Sequence, residues 1–75
     1  TVADIRIILA PAITSLASAI ILAHNHPSGQ LQPSQADLDI MKKIKEGARI
    51  FDITLLDSLI ITEEDYYSFT DNGNL

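Results

Sequence analysis

A long stretch without charge constrains the fold of this chain more than any other feature. No charged side chain occurs from Ile7 to Ala23, which just reaches the length of about 17–25 residues that a membrane-spanning helix needs. Pro11 and several hydroxyl side chains interrupt the apolar run, and no cluster of lysine or arginine flanks it. The small residues Ala17-Ser18-Ala19 resemble a signal-peptidase site, but both histidines of the chain follow within a few residues. We therefore expect a globular, cytoplasmic domain without a membrane span.

The same stretch is better described by a helix followed by a strand. Apolar residues recur at helical spacing over 5–13, and Thr1 with Asp4 three residues later fits a helix N-terminus. Pro11 cannot donate a backbone hydrogen bond, so it is expected to kink this helix or to keep it short. The segment 19–23 is an uninterrupted apolar run of strand length, which is the pattern of a strand covered on both faces.

A second helix is predicted to begin at Ser34, because apolar residues repeat after it at intervals of three and four. One face contains Leu38, Met41, Ile44, Lys45 and Ala48, and Lys45 is expected to lie along this apolar side with its tip in water. Gly47 either ends this helix or allows close packing against a neighbour.

Short strands follow this helix. The sequence predicts them at 50–56, 59–62 and 66–69. Asp57 and Ser58 separate the first two, and an acidic turn at 63–65 precedes the third. Strands that alternate with helices predict an α/β fold, with one domain over residues 1–75.

The composition excludes several classes of protein. The chain has 75 residues and no cysteine, which excludes a disulfide framework, a thiolate zinc finger, an iron–sulfur cluster and a cysteine nucleophile. Ten acidic and five basic residues give a net charge of −5, which disfavours direct binding of nucleic acid because phosphate contacts need lysine and arginine. The basic cluster of Lys42, Lys43 and Lys45 is interpreted as the solvated side of a helix.

Two histidines supply the chemistry that this composition allows. His24 and His26 are the whole histidine content of the chain and lie two positions apart. In an extended strand, residues i and i+2 point to the same side, so both imidazoles can approach one ion. Asp37 is the predicted third ligand, because the start of a helix favours an ionised carboxylate. Two histidines and one carboxylate suit zinc, and they also suit non-haem iron.

Ser34 and Asp37 have two interpretations. In a metal site, the Ser34 hydroxyl donates a hydrogen bond to the oxyanion that forms when a carbonyl is attacked. As a structural motif, Ser-x-x-Asp is a capping box, in which Ser34 caps the helix and Asp37 bonds back to the Ser34 backbone amide. Capping does not explain the neighbouring histidines, so both interpretations stay open.

These residues together resemble a known motif. The segment His24-Asn25-His26-Pro27, followed by Ser34 and Asp37, matches the HxHPx6SxxD pattern of JAMM (MPN-plus) metalloproteases at every spacing. The segment 23–29, together with Pro33-Ser34, is more narrowly similar to the bacterial RadC proteins, a family labelled as DNA repair. The similarity covers nearly the whole chain and continues through Lys42-Lys43-Ile44, Leu55-Leu56-Asp57, Ile60-Ile61 and Tyr66-Tyr67-Ser68.

The resemblance implies a fold, a site and a reaction. The implied fold is α/β, JAMM/MPN-like and cytidine-deaminase-like, with a mixed sheet flanked by helices. In JAMM enzymes the two histidines and the aspartate bind zinc, and the serine stabilises the tetrahedral intermediate. By position, the metal ligands are His24, His26 and Asp37, with Zn²⁺ as the expected ion and Fe²⁺ as the alternative, and Ser34 is the catalytic residue. The implied reaction is hydrolysis of a peptide or isopeptide substrate.

The sequence departs from the family pattern at two places. JAMM enzymes use a glutamate on an upstream strand as general base, whereas Glu46, Glu63 and Glu64 all follow the motif. The chain therefore resembles the C-terminal portion of a RadC domain without its first strands, and its open sheet edge is expected to favour self-association. RadC relatives usually have histidine after the aspartate equivalent to Asp57, whereas this chain has Ser58. Asp57 is interpreted either as a turn residue or as an acceptor that orients a ligand imidazole.

Two other functions stay open. A JAMM-like domain without its general base becomes a metal-binding or metal-free interaction module. The family label implies a DNA-processing factor instead, in which Tyr66, Tyr67 and Phe69 stack on bases. We interpret these aromatic side chains as the cover of a sheet edge.

Overall fold

The computed structural model describes residues 4–26 and 28–75, which form two helices and a three-stranded sheet. The order along the chain is α1 (Ile5–Thr14), β1 (Ala19–Asn25), α2 (Gln35–Ile50), β2 (Thr54–Ile61) and β3 (Tyr66–Ser68). β2 lies in the centre of the sheet, parallel to β1 and antiparallel to β3. This mixed architecture confirms the predicted α/β class and is compatible with an MPN-like fold.

The hydrophobic core lies between the helices and one face of the sheet. α2 packs on β2, and α1 packs on α2. The buried apolar side chains are Leu9, Ala12, Met41, Ile44, Ala48, Ile53, Leu55, Ile60 and Phe69. Lys45, predicted to lie along the apolar side of α2 with its tip in water, is exposed. Neither described helix combines the length and the apolar character of a membrane span.

Gly47 lies inside α2, at the contact between the two helices. A Cβ at this position would lie 3.3 Å from Cδ1 of Leu9, so the missing side chain lets α1 and α2 approach each other. The helix continues beyond Gly47 to Ile50. Of the two predictions for this glycine, close packing is therefore confirmed and helix termination is wrong.

Asp4 is the N-cap of α1. Its carboxylate accepts a hydrogen bond from the backbone N–H of Arg6 at 2.9 Å. The cap predicted at Thr1 lies outside the described residues, and Asp4 takes that role at the start of the described helix. The helix contains Pro11 and ends three residues later, in agreement with the short length that the proline predicts.

Both helices end in a turn that contains one left-handed residue, Leu16 (φ 56°) after α1 and Asp52 (φ 58°) after α2. In each turn, the N–H of the next residue donates to a carbonyl five residues back, at 2.9 Å. The second turn shows that the strand predicted at 50–56 starts too early, because only 54–56 belong to a strand. α2 extends through Ile50, and β2 begins only at Thr54.

β1 is covered on one face only, and the prediction of two covered faces is wrong for the described residues. Exposure alternates along the strand, and Ile21 is 60% exposed. The core lies against the opposite face, and β1 forms one edge of the described sheet. The strand is also longer than predicted, because it continues through His24 to Asn25, which pairs with Ile61.

β2 is one continuous strand, although the sequence predicts an interruption at Asp57 and Ser58. The pairing with β1 shifts by one residue at Leu56, which forms a bulge. Ser58 follows the bulge and is fully buried. β3 ends at Ser68, one residue before the end of the predicted strand.

The Asp57 carboxylate attaches β3 and the turn after it to β2. It accepts hydrogen bonds from the Ser68 hydroxyl and from the backbone N–H groups of Ser58 and Thr70, the last two at 2.7 and 3.0 Å. Asp57 therefore lies inside a strand and is not a turn residue. It forms no hydrogen bond with either histidine among the described residues, so the second interpretation of Asp57 is also wrong.

The hydrogen bonds of Asp57 predict a dependence of stability on pH. Burial raises the pKa of Asp57, but the hydrogen bonds from Ser68, Thr70 and Ser58 outweigh it and hold the pKa below its ordinary 3.8. A carboxyl with a lowered folded-state pKa stabilises the fold above its unfolded-state pKa, and this contribution is lost as the pH falls through the folded-state pKa. Asp57→Asn should lower the free energy of unfolding by roughly 1–3 kcal/mol near pH 7 and by progressively less below about pH 4.

Urea unfolding of wild type and Asp57→Asn at several pH values measures this difference. A difference that stays constant from about pH 7 to about pH 2 would show that the charge of Asp57 does not stabilise the fold.

Candidate metal centre

The end of β1 presents the two histidines on the same side of the chain. His24 lies within the strand, and the backbone N–H of His26 donates to the carbonyl of Ile61 on β2 at 3.0 Å, so the extended path continues to His26. The Nε2 atoms of the two rings lie 3.2 Å apart, with 4.9 Å between the ring centroids. Strand alternation therefore brings the imidazoles together, as their spacing predicts.

Asp37 reaches this pair from the start of α2. Ser34 is the N-cap, and its hydroxyl oxygen accepts from the backbone N–H of Asp37 at 3.1 Å. The Asp37 carboxylate accepts from the Ser34 N–H at 2.8 Å, so the predicted capping box is confirmed. The same oxygen, Oδ2 of Asp37, lies 3.7 Å from Nε2 of His26. One carboxylate thus caps the helix and faces the histidines, and the two interpretations of Asp37 do not exclude each other.

His24, His26 and Asp37 form a possible metal-binding group. One ligand atom from each lies within 4.8 Å of the other two. Two zinc–nitrogen bonds of about 2.0–2.1 Å at a tetrahedral angle place the nitrogens about 3.3 Å apart, close to the observed 3.2 Å. The side chains of His26 and Asp37 are 20% and 22% exposed, so the group is partly desolvated and still open to a ligand. This donor set fits a divalent transition metal such as zinc or iron.

A hydrogen bond to a backbone carbonyl assigns the tautomer of His26. Nδ1 of His26 lies 2.7 Å from the carbonyl oxygen of Gln30, which can only accept, so Nδ1 carries the proton. With the proton on Nδ1, Nε2 of His26 keeps its lone pair, and it lies 3.2 Å from Nε2 of His24. His26 therefore directs a lone pair into the group.

The electrostatics favour the ligand forms of His24 and Asp37. Burial lowers the pKa of His24, and the adjacent His26 lowers it further against the attraction of Asp37. Burial raises the pKa of Asp37, but the hydrogen bonds from Ser34 and the two imidazoles together hold this pKa below its ordinary 3.8. A neutral imidazole and an ionised carboxylate are the forms that bind metals.

The remaining polar residues near the group have separate positions. Glu63 lines an open groove together with Asn25, His26, Ile61 and Thr62. The predicted basic cluster of lysines is exposed along α2, as expected for a solvated face. The contribution of Gln30 could not be predicted from the sequence, because a backbone carbonyl acceptor gives no signal in residue type.

Comparison with known proteins places this geometry in a family. The sequence model of the RadC-like JAB domain matches residues 1–74. A UPF0758 protein of Flavobacterium johnsoniae is 52% identical over 73 residues, which are 97% of this chain and 32% of the relative. A UPF0758 protein of Porphyromonas gingivalis is 46% identical over 76 residues, which cover 100% of this chain and 34% of the relative.

A more distant relative gives the same result. A UPF0758 protein of Streptococcus suis is 41% identical over 75 residues, which cover 100% of this chain and 30% of the relative. The chain thus spans about a third of the length of these curated relatives. The family resemblance that the motif predicts is confirmed, and the chain belongs to the RadC-like JAB domain family.

Proposed function

We propose that this chain contributes the metal centre of a zinc-dependent hydrolase that cleaves amide bonds. The observation that carries the proposal is the approach of two imidazole nitrogens and one carboxylate oxygen to within 4.8 Å of one another. Membership in the RadC-like JAB family supports it, because the JAMM pattern assigns metal binding to the same positions. Zn²⁺ is the proposed ion, and Fe²⁺ is the alternative that the same donor set accepts.

His24, His26 and Asp37 are proposed to hold the ion. When bound, such an ion lowers the pKa of water from about 15.7 to about 7 and polarises a substrate carbonyl. The Gln30 carbonyl orients His26 through Nδ1 and leaves Nε2 for the ion, in the way that outer acceptors generally fix ligand histidines.

Ser34 is proposed to stabilise the negative charge that develops on the attacked carbonyl oxygen. Its Oγ is held by accepting the N–H of Asp37, and no acceptor for its hydroxyl proton occurs among residues 4–26 and 28–75. The hydroxyl can therefore donate to a substrate without giving up the cap. A donor fixed in this way stabilises charge in the transition state without reorganisation.

A peptide or isopeptide is the proposed substrate. The open groove that His26 lines together with Ile61 and Glu63 supports this choice, because it lies beside one member of the group. Glu46, Glu63 and Glu64 do not take the position of the general base in the JAMM pattern. We propose that the base lies outside these 75 residues, since the curated relatives are about three times as long.

Zinc binding and amide hydrolysis test the proposal. We expect about one zinc per chain by metal analysis. We also expect a protein that contains this chain and has the full length of its relatives to cleave a fluorogenic peptide or a lysine isopeptide. A chelator should abolish this cleavage. Ser34→Ala should keep the zinc and lose about 10²–10³-fold in kcat. Ser34→Thr keeps both the cap and the hydroxyl, so it should retain most of the activity.

Other outcomes would support the competing functions. Zinc binding without cleavage of either substrate would favour an interaction module. A salt-sensitive shift of labelled DNA that survives chelation would favour a DNA-processing factor. Purified protein that neither contains nor binds zinc would overturn the proposal.

A further inference from the structure

The loop between β1 and α2 returns to the histidines at Gln30. The backbone N–H of Gly29 donates to the carbonyl of His26 at 3.0 Å. The carbonyl of the next residue, Gln30, accepts from Nδ1 of His26 at 2.7 Å. Consecutive loop residues therefore bond to the main chain and to the side chain of one candidate ligand.

Gly29 has a backbone conformation that side chains disfavour. Its φ is 81°, in the left-handed region, where residues with a Cβ are uncommon. A Cβ added at Gly29 would have no atom of the described residues within 4 Å apart from its chain neighbours, so the space around it is open. The glycine is thus required for its torsion angle and not for its size. Because Gly29 directly precedes Gln30, this torsion angle sets the direction in which the chain continues toward the Gln30 carbonyl.

We infer that Gly29 is a positioning residue for the metal centre: its left-handed conformation places the Gln30 carbonyl on Nδ1 of His26 and so fixes the ring tautomer. A carbonyl only accepts hydrogen bonds, so the ring nitrogen that faces it carries the proton. The other nitrogen, Nε2, then directs its lone pair toward His24 and Asp37. In the opposite tautomer Nε2 carries the proton and cannot bind an ion. The consequence for metal binding rests on the proposed function, whereas the tautomer does not depend on it.

Gly29→Ala tests this role, and Gly73→Ala is its matched control. Gly73 also has a left-handed backbone (φ 72°) and no atom within 4 Å of an added Cβ. It lies beside α2 in a groove that it shares with Leu38 and Lys42, away from the loop that contacts His26. Both variants add the same methyl group under the same backbone penalty. Gly29→Asn is the conservative variant, because asparagine occurs at positive φ several-fold more often than most residues.

Nitrogen NMR of the imidazoles in metal-free protein at about pH 8, where ordinary imidazoles are neutral, measures the tautomer. Wild type and Gly73→Ala should show His26 protonated at Nδ1. Gly29→Ala should show the proton shared between Nδ1 and Nε2, with Gly29→Asn in between. Zinc affinity, measured by competition with a chelator, should fall about 10–100-fold in Gly29→Ala and should not change in Gly73→Ala.

A Gly29→Ala protein that keeps the wild-type nitrogen spectrum and binds zinc within about twofold of Gly73→Ala would overturn the inference. Equal losses of zinc affinity in Gly29→Ala and Gly73→Ala would also overturn the inference, because the loss would then be a general effect of backbone strain. The tautomer comparison uses metal-free protein, so it decides the role of Gly29 even if wild type binds no zinc. If wild type binds no zinc, only the proposed function is overturned, and the role of Gly29 is decided by the tautomer.

Discussion

Asp37→Asn is expected to lower the affinity for zinc by at least about a hundredfold, because loss of an outer hydrogen-bond partner alone typically costs about 10–100-fold. The asparagine keeps an oxygen that can accept the Ser34 N–H, so the capping box is retained and α2 still begins at its first residue. What the variant loses is the negative charge 3.7 Å from Nε2 of His26. Competition between the protein and a coloured chelator for zinc measures the loss.

Asp39→Asn is the matched control for this variant. Asp39 lies two residues further along α2, is exposed and accepts a hydrogen bond from Gln35 within the same helix. The exchange removes the same charge from the same helix without touching the histidines, so zinc affinity should stay within about twofold of wild type. Equal affinities in the two variants would show that Asp37 only caps α2 and that the metal group lacks its third ligand.

The spacing of the candidate ligands could be predicted from the sequence because it follows from strand geometry. His24 and His26 lie two positions apart, and strand alternation, which places such residues on the same side, is local and independent of the rest of the fold. The position of Asp37 follows from the capping box, which fixes its carboxylate at the start of α2. The tautomer of His26 could not be predicted, because it depends on the Gln30 carbonyl, which contacts Nδ1 from the loop that contains the left-handed Gly29.

The errors in the fold arise where local pattern and tertiary environment disagree. Ile50 and Phe51 have the residue types of a strand, but they are 79% and 54% exposed at the end of α2, so the apolar pattern there does not report a buried strand. Asp57 has the residue type of a strand breaker, but its carboxylate accepts hydrogen bonds from three donors, among them the hydroxyl of Ser68 eleven residues away. Contacts between distant segments are not visible in a window of sequence, and they decide both cases.

Ile44→Ala is expected to destabilise the protein more than Asp57→Asn does. Ile44 is 0% exposed, and truncation of a buried isoleucine to alanine typically costs about 2–5 kcal/mol. A domain of this length has a total free energy of unfolding of roughly 4–11 kcal/mol, so the variant loses a large part of it. Ile44 also lies seven residues after Asp37 on the same face of α2, which means that the stripe packed on the sheet is continuous with the carboxylate of the metal group. Urea unfolding of the metal-free variant measures the loss.

Ile50→Ala and added zinc separate the loss of packing from a general effect on α2. Ile50→Ala is the same exchange in the same helix at an exposed position, and it should change the free energy of unfolding by less than about 0.5 kcal/mol. Zinc at about 100 times its dissociation constant adds about 2.7 kcal/mol to a folded state that binds it, so it should restore much of the stability of Ile44→Ala. Adding Asp37→Asn to that variant should abolish the recovery, because the ion then lacks its charged ligand. Equal losses of unfolding free energy in Ile44→Ala and Ile50→Ala would show that Ile44 is not part of the core. Recovery of stability by zinc in the variant that also carries Asp37→Asn would show that the zinc binds at another site.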